Sequence, residues 1–117
     1  MDMKSENRLK KRKHFNYIYK NGESKFSKIL QLVFIKSKIT PFKVGFSVSK
    51  KIGKSVVRNK VKRRMREAFF SLKSQVKQNY NYIFVAKEGI EELTYEQIKQ
   101  EMISLLLKAS LYDEKTN

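Results

Sequence analysis

Alternation and helical spacing divide the chain into a short series of elements. Ile29 to Ser37 reads as a strand, with Leu30, Leu32 and Phe34 on one face and Ile29, Val33 and Ile35 on the other. Pro41, the only proline, marks the turn into a second strand, Phe42 to Ser49, where Val44, Phe46 and Val48 alternate with Gly45 and Ser47. Upstream, Phe15, Ile18 and Tyr19 recur at helical spacing between Leu9 and about Lys20, and Asn21-Gly22 stops that helix. The longest helix is predicted from Ser55 to about Val76. In it Val57, Val61, Met65, Ala68 and Leu72 fall within roughly 80° at about 100° per residue, a core-facing stripe. Tyr82 to Ala86 is a buried strand, too short for a helix. A Thr94-Tyr95-Glu96-Gln97 capping box opens the last helix, whose buried face is Ile98, Met102, Leu105, Leu106 and Ala109. A further short strand near Lys25–Ser27 carries a fainter signal. The order α-β-β-α-β-α, with room for that extra strand, predicts an α+β fold: a small α-β sandwich with helices on one side of a mixed sheet of three to four strands. We expect one domain over residues 1–117, frayed at 1–7 and 111–117.

Composition narrows the setting. With 117 residues and 40% hydrophobic content the chain can bury a real core. It has no cysteine, which excludes disulfides and thiolate metal sites and fits a reducing cytoplasm. The basic N-terminus lacks the apolar core of a signal peptide, and no run of about 18 apolar residues occurs. The expectation is a soluble cytoplasmic protein.

Charge changes the picture most. The net charge is +16, but residues 8–87 alone carry +21, residues 88–117 carry −4 and residues 1–7 carry −1. Most of the chain repels itself, and a polyanionic partner relieves that repulsion. A membrane is the weaker candidate, because no helix joins a large apolar face to a Trp- and Phe-rich anchor. Ser47 to Phe70 holds nine Lys and Arg, with Glu67 the single acid, and four of the six arginines (Arg58, Arg63, Arg64, Arg66) lie within nine residues. Arginine offers a planar fork that grips phosphate in two places, which a lysine point charge cannot do.

Placement of these cations argues against a merely solvated face. Lys50, Lys51, Lys54 and Arg58 crowd the N-terminal end of the long helix, where the macrodipole disfavours cations by about 0.3–1 kcal/mol each. An anion bound there reverses the sign of the effect. Arg58, Lys62 and Arg66, spaced i, i+4, i+8, form a row beside the apolar stripe, with Asn59 and Arg63 on the adjacent face. A strand, not a helix, precedes this segment, which does not suit a helix-turn-helix reader of DNA. RNA, recognised by shape and phosphates, fits better.

These residues resemble the signature of the bacterial ribonuclease P protein subunit. The likeness begins at Arg8-Leu9-Lys10-Lys11, Phe15 and Tyr19-Lys20-x-Gly22. It is densest from Gly45-Phe46-Ser47-Val48-Ser49-Lys50-Lys51-Ile52-Gly53 through Val57-Arg58-Asn59-Lys60, Lys62-Arg63 and Arg66-Glu67-Ala68-Phe69. It runs in order over about residues 8–110. The family's Arg-Asn-Arg core reads Arg58-Asn59-Lys60 here, which keeps the charge but loses the planar fork at the third position.

The resemblance implies a protein that joins a catalytic RNA to remove the 5′ leader from precursor tRNA. Hydrolysis would belong to that RNA with its bound Mg²⁺. The fold implied is an α-β sandwich, of a type shared with a ribosomal-protein domain, with a left-handed β-α-β crossover where a right-handed one is the ordinary expectation. Carried over by position, Arg58, Asn59, Lys60, Lys62, Arg63 and Arg66 would contact the catalytic RNA. Phe15 and Tyr19 would line a leader cleft between the first helix and the sheet, with Phe34, or with Val33 if the strand alignment slips by one. Lys50, Lys51 and Lys87 would contact leader phosphates. On the residues alone Phe15 and Tyr19 could equally be core aromatics.

No protein-based catalytic constellation emerges. His14 is the only histidine and has no orienting acid nearby in sequence, and Glu23 and Glu67 are too far apart for a two-metal carboxylate site. Glu88, Glu91, Glu92 and Glu96 gather where a helix begins, a stabilising place for acids. Neither a protein-held metal nor a small-molecule substrate is expected. A ribosomal or RNA-chaperone protein that only binds is the competing reading, and a protein nuclease the weakest.

Overall fold

The computed structural model describes residues 7–39 and 41–113. Its order is α1 (Arg12–Asn21), β1 (Glu23–Phe26), β2 (Leu30–Lys36), β3 (Val44–Ser47), α2 (Ser55–Leu72), β4 (Tyr80–Ala86) and α3 (Tyr95–Lys108). Short 3-10 turns at Lys50–Ile52 and Ile90–Glu92 precede α2 and α3. The four strands form one mixed sheet in the order β1-β2-β4-β3. β2 is antiparallel to both β1 and β4, whereas β3 and β4 are parallel neighbours joined through α2. Among the described residues no helix is long and apolar enough to cross a membrane.

Strand alternation builds the main core on one face. Leu30, Leu32, Phe34, Val44, Tyr82 and Phe84 pack there against Val61, Met65, Ala68, Phe69 and Leu72 of α2 and Ile98, Met102, Leu105 and Leu106 of α3. The capping box at α3 is present: Thr94 Oγ1 accepts from the Gln97 N–H at 3.2 Å, and Gln97 Oε1 accepts from the Thr94 N–H at 2.9 Å.

The helices are not all on one side. Val33 and Ile83 point to the other face and form a second, small core with Leu9 and Ile18, so α1 covers the face opposite α2 and α3. β2 is apolar on both faces because both are covered. The extra strand lies at Glu23–Phe26, slightly earlier than its signal, and Ile29 packs against the main core instead of the second face.

The ends are also more ordered than the sequence suggests. Leu111 is buried, Tyr112 bridges Val76, and the Asp113 N–H donates to Gln75 O at 2.7 Å. Asn7 is buried and its Nδ2 donates to Phe42 O at 2.8 Å. Residues 1–6 and 114–117, also expected to fray, lie outside the described residues. The same C-terminal bridge explains why α2 stops at Leu72 and not near Val76. Val76 keeps the apolar periodicity because it is buried, but in a β-bridge.

Tyr82 gives this core a pH signature. It is fully buried and donates its hydroxyl to Lys77 O at 2.6 Å. Burial, reinforced by neighbouring Tyr80, pushes its pKa above the ordinary phenol value. The folded state therefore holds the neutral phenol where the unfolded chain ionises it. That contribution is fully present below about pH 10 and is lost as the pH rises further. Tyr82→Phe should cost about 1 kcal/mol at neutral pH. The Tm gap between wild type and variant should then narrow above about pH 10, and a constant gap across that range would refute the assignment.

Candidate nucleic-acid interface

Three elements converge at the β3 edge of the sheet. The outer side of β3 is paired at Val44, where Arg8 forms a parallel bridge and the Leu9 N–H donates to Val44 O at 2.9 Å. That bond delivers the chain into α1 over the second face. α1 then lies across the strands, with Phe15 against Gly45 of β3 and Ile18 packed with Val33 and Ile83. The contact at Gly45 admits no side chain: a Cβ there would lie 2.4 Å from Phe15 Cζ. Phe15 is half-buried and Tyr19 is exposed, with ring centroids 6.4 Å apart and tilted by 41°. Phe15 thus belongs to the small second core and also forms a wall of the surface beside it.

α2 supplies the facing wall. Lys62 and Arg66 border a recess with Arg8, Phe15, Gly45 and Phe46. A neighbouring open recess is lined by Lys62 again with Arg12, Asn16, Tyr19 and Ser47. Cationic and aromatic side chains therefore share one surface along the β3 edge.

The basic row divides into groups. Asn59, Lys60 and Arg63 are exposed on the outer side of α2, while Lys62 and Arg66 turn toward α1. Arg58 is partly committed to structure: its Nε donates to Gly53 O at 3.0 Å and an Nη to Ser55 Oγ at 3.4 Å. Arg64, on the opposite flank, donates to Leu93 O at 3.0 Å and ties α2 to the turn before α3. Its role is architectural.

The N-terminus of α2 is electropositive and uncompensated. Lys54 at the N-cap makes no capping hydrogen bond through its side chain, and the first turn contains no acid. Lys50 and Lys51 sit exposed in the turn just before it, and Gly53 at φ 154° makes the sharp entry that an L side chain rarely adopts. Free N–H groups, dipole and lysines converge there as an anion site requires.

Register shows where the remaining candidates lie. Lys87 follows β4, at the same end of the sheet as the Lys50–Ile52 turn because β3 and β4 run parallel. Its Nζ stands 4.7 Å from the ring centroid of Phe26, which is half exposed at the end of β1. Phe34 does not belong to this surface. It is buried in the main core beside Tyr80, and β-strand alternation turns it away from α1. Val33 occupies the α1 side. Nothing in the sequence alone assigns Phe26 or Arg8 a place on this surface. Phe26 sits in a mostly polar four-residue strand whose pattern is too short to assign a face, and Arg8 acquires its position only through the bridge to Val44.

Among the described residues, no three His, Asp or Glu side chains come together as a metal site would need. His14 is exposed on α1. The cationic and aromatic side chains of this surface suit phosphate and base.

A family model described as Ribonuclease P matches residues 3–110. The ribonuclease P protein component of Clostridium botulinum (strain 657 / Type Ba4) is 39% identical over 109 residues, covering 92% of this chain and 98% of its own. That of Caldanaerobacter subterraneus subsp. tengcongensis is 40% identical over 108 residues, covering 92% and 93%. Among solved structures, the Staphylococcus aureus RNase P protein superposes with a TM-score of 0.83 at 34% identity, covering 92% of this chain and 98% of that one. The Thermotoga maritima RNase P protein gives 0.79 at 25% identity, covering 86% and 96%.

Proposed function

The chain belongs to the ribonuclease P protein family, and from that premise we propose how its surface divides between a catalytic RNA and precursor tRNA. As a protein component of this ribonucleoprotein endoribonuclease, it assists removal of the 5′ leader from precursor tRNA. In our reading the outer side of α2, with Asn59, Lys60 and Arg63 and the remaining donors of Arg58, meets the catalytic RNA. The unpaired leader runs along the β3 edge and the sheet face beside α1, where Phe15 and Tyr19 stack on bases. Lys50, Lys51 and Lys87 then hold leader phosphates at the far end of that face. Stacking tolerates any sequence, as a variable leader demands.

One observation carries this division. Lys62 and Arg66 leave the outer side of α2 and share a recess with Phe15. They stand where leader and catalytic RNA would meet, so a single helix contacts both. The protein's work is binding and orientation. Mg²⁺, which would supply charge stabilisation in the hydrolysis, is assigned in this reading mainly to RNA phosphates, since Glu23 and Glu67 are the only acids of residues 8–87. A cytoplasmic location belongs to the same proposal and agrees with the absence of cysteine.

Reconstitution tests it. The protein alone should cleave nothing, and adding a bacterial ribonuclease P RNA at low Mg²⁺ should restore 5′ maturation of precursor tRNA. The assembled particle should also prefer precursor to mature tRNA. Equal affinity for the two would favour a binding-only RNA chaperone, and failure to restore cleavage with folded protein would sink the assignment.

A further inference from the structure

α1 has a second flank, and it faces the opposite end of the same sheet face. Lys36, Asn81 and Lys43 mark that end, where β2 finishes, β4 starts and β3 is about to begin. Between them and α1 lies a cavity of about 260 Å³. Its floor is Ile18 and Ile35, and Tyr17 forms a wall from α1. Tyr17 is 61% exposed, far more than its role as a helix residue above an apolar floor requires. This volume falls below the roughly 300–1,000 Å³ of drug-sized pockets and suits one flat ring system.

The polar side of the cavity is oriented. Asn81 Oδ1 accepts the Lys43 N–H at 2.9 Å. A backbone N–H can only donate, so the side-chain amide is fixed in one sense and its Nδ2 is turned away from that bond. Asn81 pairs with Ile35 in the ladder and so shares the α1 face, which brings its donors to the cavity. Lys36 and Lys43 line the same cavity and add positive charge. An apolar floor, an exposed ring, fixed amide donors and two cations together match an unpaired nucleotide: ring on ring, base acceptors on the amide, phosphate on lysine.

We propose that this cavity receives one unpaired nucleotide of the catalytic RNA. The inference rests on the ribonuclease P reading above. The leader is routed along the Phe15 and Tyr19 flank, and α1 separates that flank from Tyr17, so the second flank is left to the RNA subunit. Two RNA contacts on opposite sides would then fix α1 in place.

The test uses the full chain with a bacterial ribonuclease P RNA, first as wild type. If wild type does not support leader removal, the functional reading fails before the cavity is addressed. With wild type active, affinity for the RNA subunit and for precursor and mature tRNA is measured for Tyr17→Ala, Tyr17→Phe and Asn81→Asp. Asn81→Asp keeps the acceptor for the Lys43 N–H but replaces the donors with a negative charge, so the strand end stays intact. Tyr17→Ala and Asn81→Asp should each weaken RNA-subunit binding about tenfold, the scale of one stacked base, with Tyr17→Phe close to wild type and the precursor-to-mature ratio unchanged. Unchanged RNA-subunit affinity in both variants, at wild-type Tm, overturns the proposal. A loss confined to precursor binding overturns it too, since the occupant would then be the leader.

Discussion

Phe69→Ala should remove about 3–5 kcal/mol of stability and lower the Tm by roughly 10–20 °C. Phe69 is fully buried on α2, and its ring centroid lies 5.3 Å from Phe84, 5.6 Å from Tyr82 and 5.7 Å from Phe42. Phe46 on the edge strand adds a fourth ring at 6.3 Å. Truncation deletes one partner from each of four aromatic contacts and leaves a cavity that backbone-anchored rings on β3 and β4 cannot collapse to fill. Against a typical total of about 5–15 kcal/mol, such a loss leaves the fold marginal. The consequence for function is specific. Phe69 fastens α2 to the parallel strand pair, so its loss frees the helix that carries both the outer cationic side and the Lys62–Arg66 pair. Denaturant unfolding should show a reduced midpoint with little change in slope. A loss below about 1 kcal/mol would mean that α3 and the rest of the stripe hold α2 without this ring.

The elements were legible in the sequence wherever local chemistry decides them. The Thr94–Gln97 box sets the start of α3, and Val61, Met65, Ala68 and Leu72 mark the buried side of α2. The route of the chain was less legible. Amphipathicity says which side of α1 is apolar but not which sheet face it meets. The signal that existed was β2, apolar on both faces through Leu32 and Phe34 on one and Val33 and Ile35 on the other, a pattern that asks for cover on both sides. Phe34 illustrates the same limit at single-residue scale. A one-residue shift in a strand exchanges faces: Phe34 turns into the main core, and Val33, on the α1 side, is buried beneath that helix in the second core. For the cations, the row Arg58, Lys62, Arg66 was readable from spacing. That Lys62 and Arg66 meet Phe15 was not, because it depends on a bridge between Arg8 and Val44, distant in sequence. Likewise Arg64 differs from its neighbours only through Leu93 O, a contact made by the tertiary fold.

Gly45→Ala should abolish most of the preference for precursor over mature tRNA, a loss of about tenfold or more if one stacked base is forfeited. The reason is steric. The added methyl would stand 2.4 Å and 2.6 Å from two atoms of the Phe15 ring and 3.2 Å from Leu9 Cδ2, so ring, helix or edge strand must shift. Gly45 is buried in β3 beneath α1, and Ile83 beside it in β4 is fully buried, so the strand has little freedom to retreat. The ring is the part that moves, and with it the surface shared with Tyr19, Lys62 and Arg66. Asn59, Lys60 and Arg63 lie outward on α2, away from the clash, so affinity for the catalytic RNA should be largely kept. A second substitution separates packing from recognition. Phe15→Leu shortens the side chain that the added methyl would strike, so the Gly45→Ala/Phe15→Leu pair should regain Tm relative to Gly45→Ala alone, giving a positive coupling in a double-mutant cycle. It should not regain precursor preference, because leucine offers no aromatic face. If the pair restored both, Phe15 would be a packing residue whose shape alone matters, and leader recognition would have to rest on Tyr19 and the lysines.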